Sequence, residues 1–447
     1  VATLVVTSAW LSGCAASAGR YQALREQAFH TPKASAQRAE ASPVPDAVWS
    51  DAGELSLPRV LEVSLERNPT LTAMRAAWQG AVERYPQVTA LSDPQFGYSH
   101  APSSIDSDTS IFGQKIDASQ HFPWPGKLAL RGEAALGDAA AAGEDFEGSR
   151  RRLIRAVTEA FYTYQFVHRA IEINRTNQEL LSEFQRIAER RYAAGLASKN
   201  DVLQAEVAHQ HLVHRGIALR RERAVAQARL NTLCNFSPKH PLPAPPRDIP
   251  EPTSVPPLSL LESVALHQRP ELQALEHSIG ARVAEAKLAK REYFPDLSVN
   301  AGYNSLWEDS DKRTLVGVAI NVPLQLGRRR AALNQARAKQ RETEARLEEL
   351  RARVLLEVSE AYDELEETRH VVRLYASSIL PAARESLETA RSGYETGAND
   401  FLTLVATEKS LHLAELTYEQ ALTTFQQGRA RLEHALGESI DELEELQ

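Results

Sequence analysis

His209-x-His211-x-x-His214 is the one run in the chain whose residue types and spacing suit a divalent metal. On a helix His211 and His214, three positions apart, share a face, whereas His209 points elsewhere and no carboxylate completes a ligand set. The pair is therefore a metal candidate set against the plainer reading of a solvated helix face. Met74 is the only methionine, so a thioether relay for Cu(I) is not written in this sequence. No phosphate loop, His-Glu-x-x-His, Cys-x-x-Cys or nucleophile elbow is present, and the chain reads as non-enzymatic and without a cofactor apart from covalent lipid.

The sulfur chemistry rests on two cysteines, Cys14 and Cys234, too few for a disulfide framework or a Cys-rich zinc site. Cys14 ends Leu11-Ser12-Gly13-Cys14 after a short apolar run from Val1 to Trp10. About ten apolar residues do not span a bilayer but suit the core of a secretory signal. The four residues resemble the bacterial lipobox, in which cleavage leaves a Cys that carries a diacylglyceryl thioether. Several buried acyl chains, at about 0.8 kcal/mol per methylene, make an anchor that hardly exchanges. An ordinary signal peptide with an incidental Cys is the alternative. No Asp follows Cys14, so retention in the inner membrane is not signalled. Residues 1–13 thus read as a partial signal and 14–56 as a lipidated, extended tether.

Among 447 residues, 51 Lys plus Arg face 59 Asp plus Glu, a net charge of −8 without a basic cluster, which argues against a nucleic-acid partner. A mean hydropathy of −0.37 excludes a polytopic helical membrane protein. No proline occurs in the 112 residues from Gly126 to Ser237, and only Pro381 in the 124 from Leu324 to Gln447. Helix interiors exclude proline, so both stretches predict very long helices.

Those helices belong to an internal duplication. Leu57-Pro-Arg-Val-Leu-Glu-Val-Ser-Leu matches Leu258-Ser-Leu-Leu-Glu-Ser-Val-Ala-Leu at an offset of 201, Gly126-Lys127 matches Gly327-Arg328, and Tyr192-x-x-Gly195 matches Tyr394-x-x-Gly397. The first repeat covers 57–237, with a β-hairpin at about 94–122 and a long helical hairpin at 126–236. The second covers 258–437, with a β-hairpin at about 295–324 and a helical hairpin at 327–436. Between them 238–257 holds nine prolines in 20 residues and reads as a stiff linker. Residues 438–447 form an acidic C-terminal tail. Each repeat is ordered as short helix, helix of about two dozen residues, two strands, long helix, glycine break, long helix.

The strands alternate with period two. Leu297, Val299 and Tyr303 point one way in one strand, and Val316, Val318, Ile320 and Val322 in the next. The first repeat is rougher, with Phe96, Tyr98, Phe112, Ile116, Ala118 and Phe122 on one side and Lys115, Asp117 and His121 on the other. Such strands suit lipid on one face and water on the other. Two soluble hairpins packed on a core are the alternative. Four strands do not close a barrel, and an open edge in lipid strands backbone groups, so a lipid-facing reading requires a barrel shared between copies. In the helices Leu153, Val157, Ala160, Tyr164, Val167 and Ile171 follow the seam of a coiled coil, as do Leu355, Val358, Tyr362 and Leu365. Ala134, Ala135 and Ala139 to Ala142 allow close lateral packing.

With these features in hand, Phe122-Pro-Trp-Pro-Gly126-Lys127 and Tyr192-x-x-Gly195-Leu-Ala-Ser-x-x-Asp201-Val-Leu-x-Ala205-Glu206 resemble the TolC-type outer-membrane efflux factors, the first segment their heavy-metal (CzcC and CusC) branch. The resemblance implies a mainly α protein with a small β part. Three protomers would form a 12-stranded β-barrel on a 12-helix periplasmic tunnel, lipid-anchored in the outer membrane of a Gram-negative bacterium. Its implied partners are a periplasmic adaptor, an inner-membrane pump of RND type and outer-membrane lipid. It places Gly195, Leu196, Ala197 and Ser198, with Gly397, Ala398 and Asn399, at the periplasmic tip that meets the adaptor. Asp201, Tyr394 and Asp400 fall at the tip gate. Turn chemistry alone is the competing account of these residues. Asn399 stands where the best-known member has an Arg, and Thr403 and Ala406 where it has pore acids, so a charged latch is not expected at that position. The function implied is passive export of heavy-metal cations. Organic efflux or type I secretion through the same fold, or a lipid-anchored coiled-coil scaffold, are the alternatives.

Overall fold

The computed structural model describes residues 17–30, 49, 53–101, 113–305, 307 and 309–444. Cys14 and Phe112 lie outside the described residues. The chain divides into two compact units: residues 1–30, 73–146 and 270–350 form one, and 31–72, 147–269 and 351–447 the other.

The elements repeat in the predicted order. Residues 17–29 (α1) precede α2 (Leu57–Arg67), α3 (Pro69–Val82), α4 (Arg84–Thr89), β1 (Gln95–Ala101), β2 (Gly113–Phe122), α5 (Lys127–Ala193) and α6 (Lys199–Leu233). The second copy supplies α7 (Leu258–Gln268), α8 (Pro270–Arg291), β3 (Leu297–Asn304), β4 (Thr314–Ile320), α9 (Leu326–Leu374), a π-helical turn (Tyr375–Ile379), α10 (Leu380–Thr396) and α11 (Phe401–Leu436), before a short α12 (Ile440–Glu444). The 67 residues of α5 extend about 100 Å. The helix of two dozen residues is continuous only in the second copy. In the first it breaks at Glu83, because Pro86 has no N–H to give the Val82 carbonyl.

Helix α1 corrects the reading of 14–56 as extended throughout. Tyr21 stacks on Tyr85 with ring centroids 4.9 Å apart, Arg25 bonds Glu83 at 2.9 Å, and Ala28 is buried beside Val82 and Ala139. One apolar face per turn is enough to dock a helix on a preformed surface, a signal that the surrounding Ala-rich and Pro-broken composition hides. The acidic end likewise docks: Ile440 and Leu443 of α12 are buried, and Asp441 pairs with Arg429.

All four strands form one antiparallel sheet in the order β1-β2-β3-β4. Register carries the alternation across every strand. Phe96, Ala118, Ala301 and Val316 lie in one row, Tyr98, Ile116, Tyr303 and Thr314 in the next, and Phe122, Leu297 and Ile320 in another. On the same face Val299 aligns with Val318, and His100, Gln114, Gln120 and Thr314 are its polar members. The opposite face carries Ser119, Asn300, Asp117, Lys115 and Ser298. The apolar face is open: Val316 is 76% exposed and Val318 65%. Val322, expected in β4, lies beyond the strand, which ends at Ile320, one residue before a last in-register bond from the Asn321 N–H to the Asp296 carbonyl.

Where β2 gives way to α5, Lys127 is 1% exposed. Its ammonium donates to Asp296 at 2.8 Å, to Glu292 at 3.2 Å and to the Phe294 carbonyl at 3.2 Å. Asp296 also accepts from the Trp124 N–H at 2.7 Å. Burial pushes the Asp296 carboxyl up, but the Lys127 and Trp124 bonds outweigh it and hold the group below the usual carboxylate range. One buried ammonium thus joins the entry to α5 to the entry to β3.

The Pro-rich linker forms no helix or strand, and side-chain amides strap it down. Gln165 donates to the Pro246 and Asp248 carbonyls, Gln227 and Asn231 to His240, and Gln426 to Pro250, all at 2.7 to 2.9 Å. A segment so poor in N–H groups cannot satisfy its own carbonyls, and buried Gln and Asn supply the donors.

The π turn explains a small asymmetry between the copies. Gly126 and Gly195 are 69 positions apart, Gly327 and Gly397 are 70. A π turn absorbs one extra residue within a helix without rotating the helical turns beyond it. Deleting Ser378 is therefore expected to keep the face of α10 in phase, whereas deleting Arg384 turns everything after it by about 100°. Cysteine cross-linking between positions 183 and 391 reads the outcome, and its loss in the Ser378 deletion would refute this account. If the apolar face of the sheet meets lipid, Val318→Asp is expected to abolish heat-stable oligomer on gels, since a carboxylate on a lipid-facing strand is destabilising, though by less than the about 2 to 4 kcal/mol of a Lys or Arg at mid-bilayer. Asn300→Asp on the opposite face should leave it intact.

Candidate functional site: the paired hairpin turns

Both helical hairpins turn within the second unit, and their ends share one core. Leu181, Phe184 and Ala188 of α5 pack with Ala205 of α6, Leu387, Ala390 and Tyr394 of α10, and Phe401 and Leu404 of α11. Duplication accounts for this: two copies of one apolar pattern bury each other.

Each turn is closed in the same way. Gly195 and Gly397 have φ of +73° and +86°, the left-handed region that glycine enters without a Cβ penalty. The Leu196 N–H bonds back to the Arg191 carbonyl at 2.8 Å, and the Ala398 and Asn399 N–H groups to the Gly393 carbonyl at 2.7 and 3.0 Å. Ser198 then caps α6 by accepting from the Asp201 N–H at 3.3 Å, and Asp400 caps α11 by accepting from the Thr403 N–H at 2.9 Å. The Thr403 bonds hold the Asp400 carboxyl below its usual range. Leu196 is 67% exposed; Gly195, Ser198, Gly397 and Ala398 are also exposed, and Ala197 and Asn399 half-buried.

The expected gate residues divide. Tyr394 is 2% exposed and donates to Asp201 Oδ2 at 3.4 Å, a long bond, while its ring meets Phe401 edge-on at 5.2 Å. Burial first, then the Asp201 charge, pushes the phenol up to about 12, so it stays a donor throughout the physiological range. Asp400 is not brought to this pair; it serves its own helix.

Two arginines that the sequence reading passed over tie the hairpins together. Arg191 lies over the Tyr394 ring at 5.0 Å and donates to the Glu395 carbonyl at 2.5 Å and the Leu196 carbonyl at 3.4 Å. Arg391 pairs with Glu183 at 2.6 Å. Charge therefore links the hairpins within the chain although Asn399 itself is uncharged. The available signal was Arg191 four residues before Gly195, where a cation meets the free carbonyls of a helix end. His211 and His214 are both exposed, and among the described residues no three His, Cys, Asp or Glu side chains gather as a metal set.

The four-stranded sheet, the paired turns and the duplicated order agree with the likeness of this chain to known proteins. The outer membrane efflux protein family matches residues 60–235 and 261–438, one match per repeat. The chain belongs to that family. It is an outer-membrane efflux channel, not an enzyme. The cobalt-zinc-cadmium resistance protein CzcC of Cupriavidus metallidurans is 23% identical over 409 residues, 86% of this chain and 91% of that protein. Outer membrane protein OprJ of Pseudomonas aeruginosa is 25% identical over 338 residues, covering 71% and 68%. Among solved structures, the outer-membrane channel OprN superposes with a TM-score of 0.72 at 21% identity, covering 88% of this chain and 92% of its own. CusC superposes with 0.72 at 20%, covering 86% and 93%. No helix among the described residues is long and apolar enough to cross a membrane.

At the turns, Tyr394→Ala is expected to cost about 3 kcal/mol from the lost ring and to raise single-channel conductance. Tyr394→Phe should cost less than about 1 kcal/mol, because the hydroxyl bond is long. Thermal unfolding and planar-bilayer recording check both; equal effects would assign the closure to the hydroxyl instead of the ring.

Proposed function

We propose that this channel is the exit duct of a three-part export system and that its cargo is heavy-metal cations. Three copies form a 12-stranded barrel, with the apolar row of Phe122, Leu297, Val299, Tyr303, Ile116, Val316, Val318 and Ile320 toward lipid. The turns around Gly195 and Gly397 meet a periplasmic adaptor, which joins the duct to an inner-membrane pump of RND type. Tyr394 and Asp201 hold the closed turn, and a diacylglyceryl group on Cys14 fixes each protomer. The duct supplies no energy and needs no coordinating residues, since a wide water-filled passage need not bind what passes through it.

The observation that supports the metal reading is the 23% identity to the cobalt-zinc-cadmium resistance protein across 86% of the chain. The likeness to the probable outer membrane lipoprotein SilC of Salmonella typhimurium, 23% identical over 377 residues, supports both the metal reading and the anchor. A strain lacking the protein is expected to become sensitive to one or more of Cu, Ag, Zn, Co, Cd and Ni salts, with dyes and antibiotics unaffected. A Cys14→Ala allele should restore resistance only in part. Sensitivity confined to organic compounds would replace the metal cargo by an organic one.

A further inference from the structure

Helices α6 and α11, each returning from one of the turns, leave an open cleft of about 620 Å³ between them. Its walls are mostly apolar: Leu203 and Val207 from α6, Leu402, Val405 and Leu413 from α11, with Leu181 of α5 at the back. One acid lines this surface. Glu408 is 4% exposed, and its Oε1 has no hydrogen-bond partner. An unpartnered buried carboxyl is costly, and native proteins keep such groups where something else supplies the partner.

We propose that this cleft binds an amphipathic organic monocation, with its hydrocarbon body against Leu203, Val207, Leu402 and Val405 and its cationic group against Glu408. The volume is that of a site for a drug-sized molecule, and largely apolar walls with a few polar groups, here Glu408 with Asn200, Gln204, His211, Lys409 and His412, are the usual design of such sites. Neighbouring groups select the charge. His412, on the same helix as Glu408, accepts from Asn177 through Nδ1 at 2.9 Å, and burial, with Arg215, lowers its pKa and so disfavours the charged form that would compete for the acid. Lys409 is exposed and lines the same cleft, where its charge opposes any cation and a dication most. His211 of α6 also lines it, but the acid and the two imidazoles do not gather as a metal set.

Burial first, and then Glu415, push the Glu408 carboxyl up to about 7. Arg384 lies 3.8 Å from Glu415 and attenuates that repulsion. A cation that pairs only with the ionised form therefore binds about tenfold more tightly at pH 8 than at pH 6. This inference is independent of the exported cargo, because it concerns occupancy of a groove and not passage.

Full-length protein in lipid nanodiscs, titrated with rhodamine 6G and followed by anisotropy against empty discs, tests it. Saturable binding is expected, weakened at least tenfold and stripped of its pH dependence in Glu408→Gln. Leu203→Trp, which fills the cleft and leaves the acid in place, should weaken it too, and both variants should elute as the wild type does. Unchanged affinity in Glu408→Gln, equal binding of anionic fluorescein, or displacement of the dye by micromolar Zn²⁺ would each overturn the proposal.

Discussion

A backbone N–H or C=O facing hydrocarbon without a partner costs several kcal/mol, and the order β1-β2-β3-β4 gives the sheet two outer edges, on β1 and on β4. The sheet also turns an exposed apolar face outward along its whole width. Lipid satisfies the face and cannot satisfy the edges. For an outer-membrane channel the two demands are met together only if the edges pair with those of other copies, which is the basis of the three-copy barrel proposed above.

Duplication lets one solution serve twice. A left-handed glycine, N–H groups folded back on the last carbonyls and a side-chain cap appear at both turns, with Ser198 in one copy and Asp400 in the other. The copies then diverge where the chain needs asymmetry. Of the matching tyrosines before the two turns, Tyr394 is buried against the other hairpin while Tyr192 is exposed, and among the described residues only the second long helix holds a π turn, which accommodates its extra residue. Lys127 has its counterpart in Arg328, yet the buried ion cluster forms around Lys127 alone among the described residues at these two positions.

The buried polar groups fall into two classes. The amide N–H groups of Gln165, Asn231 and Gln426 hold the linker, and Glu419 pairs with Arg169, so these fix structure. Glu408 has no such employment for its Oε1. Gln165 Oε1 and Asn231 Oδ1 are likewise without partners, so what sets Glu408 apart is that it is an acid lining an open, largely apolar cleft.

The sequence by itself determined the repeat, the long helices and the alternation of the strands, because proline exclusion, period two and self-similarity are local properties that any fold must obey. It also located both turns, since glycine at a helix end needs no tertiary help. Tertiary structure decided the rest. It docked residues 17–29 as a helix, ended β4 before Val322, withheld Asp400 from Tyr394, and brought in Arg191 and Arg391, all outcomes of contacts that no local pattern encodes. It alone made Glu408 unusual. A glutamate on a helix is ordinary in sequence, and only the packing of α6 against α11 removes its water without giving Oε1 a partner.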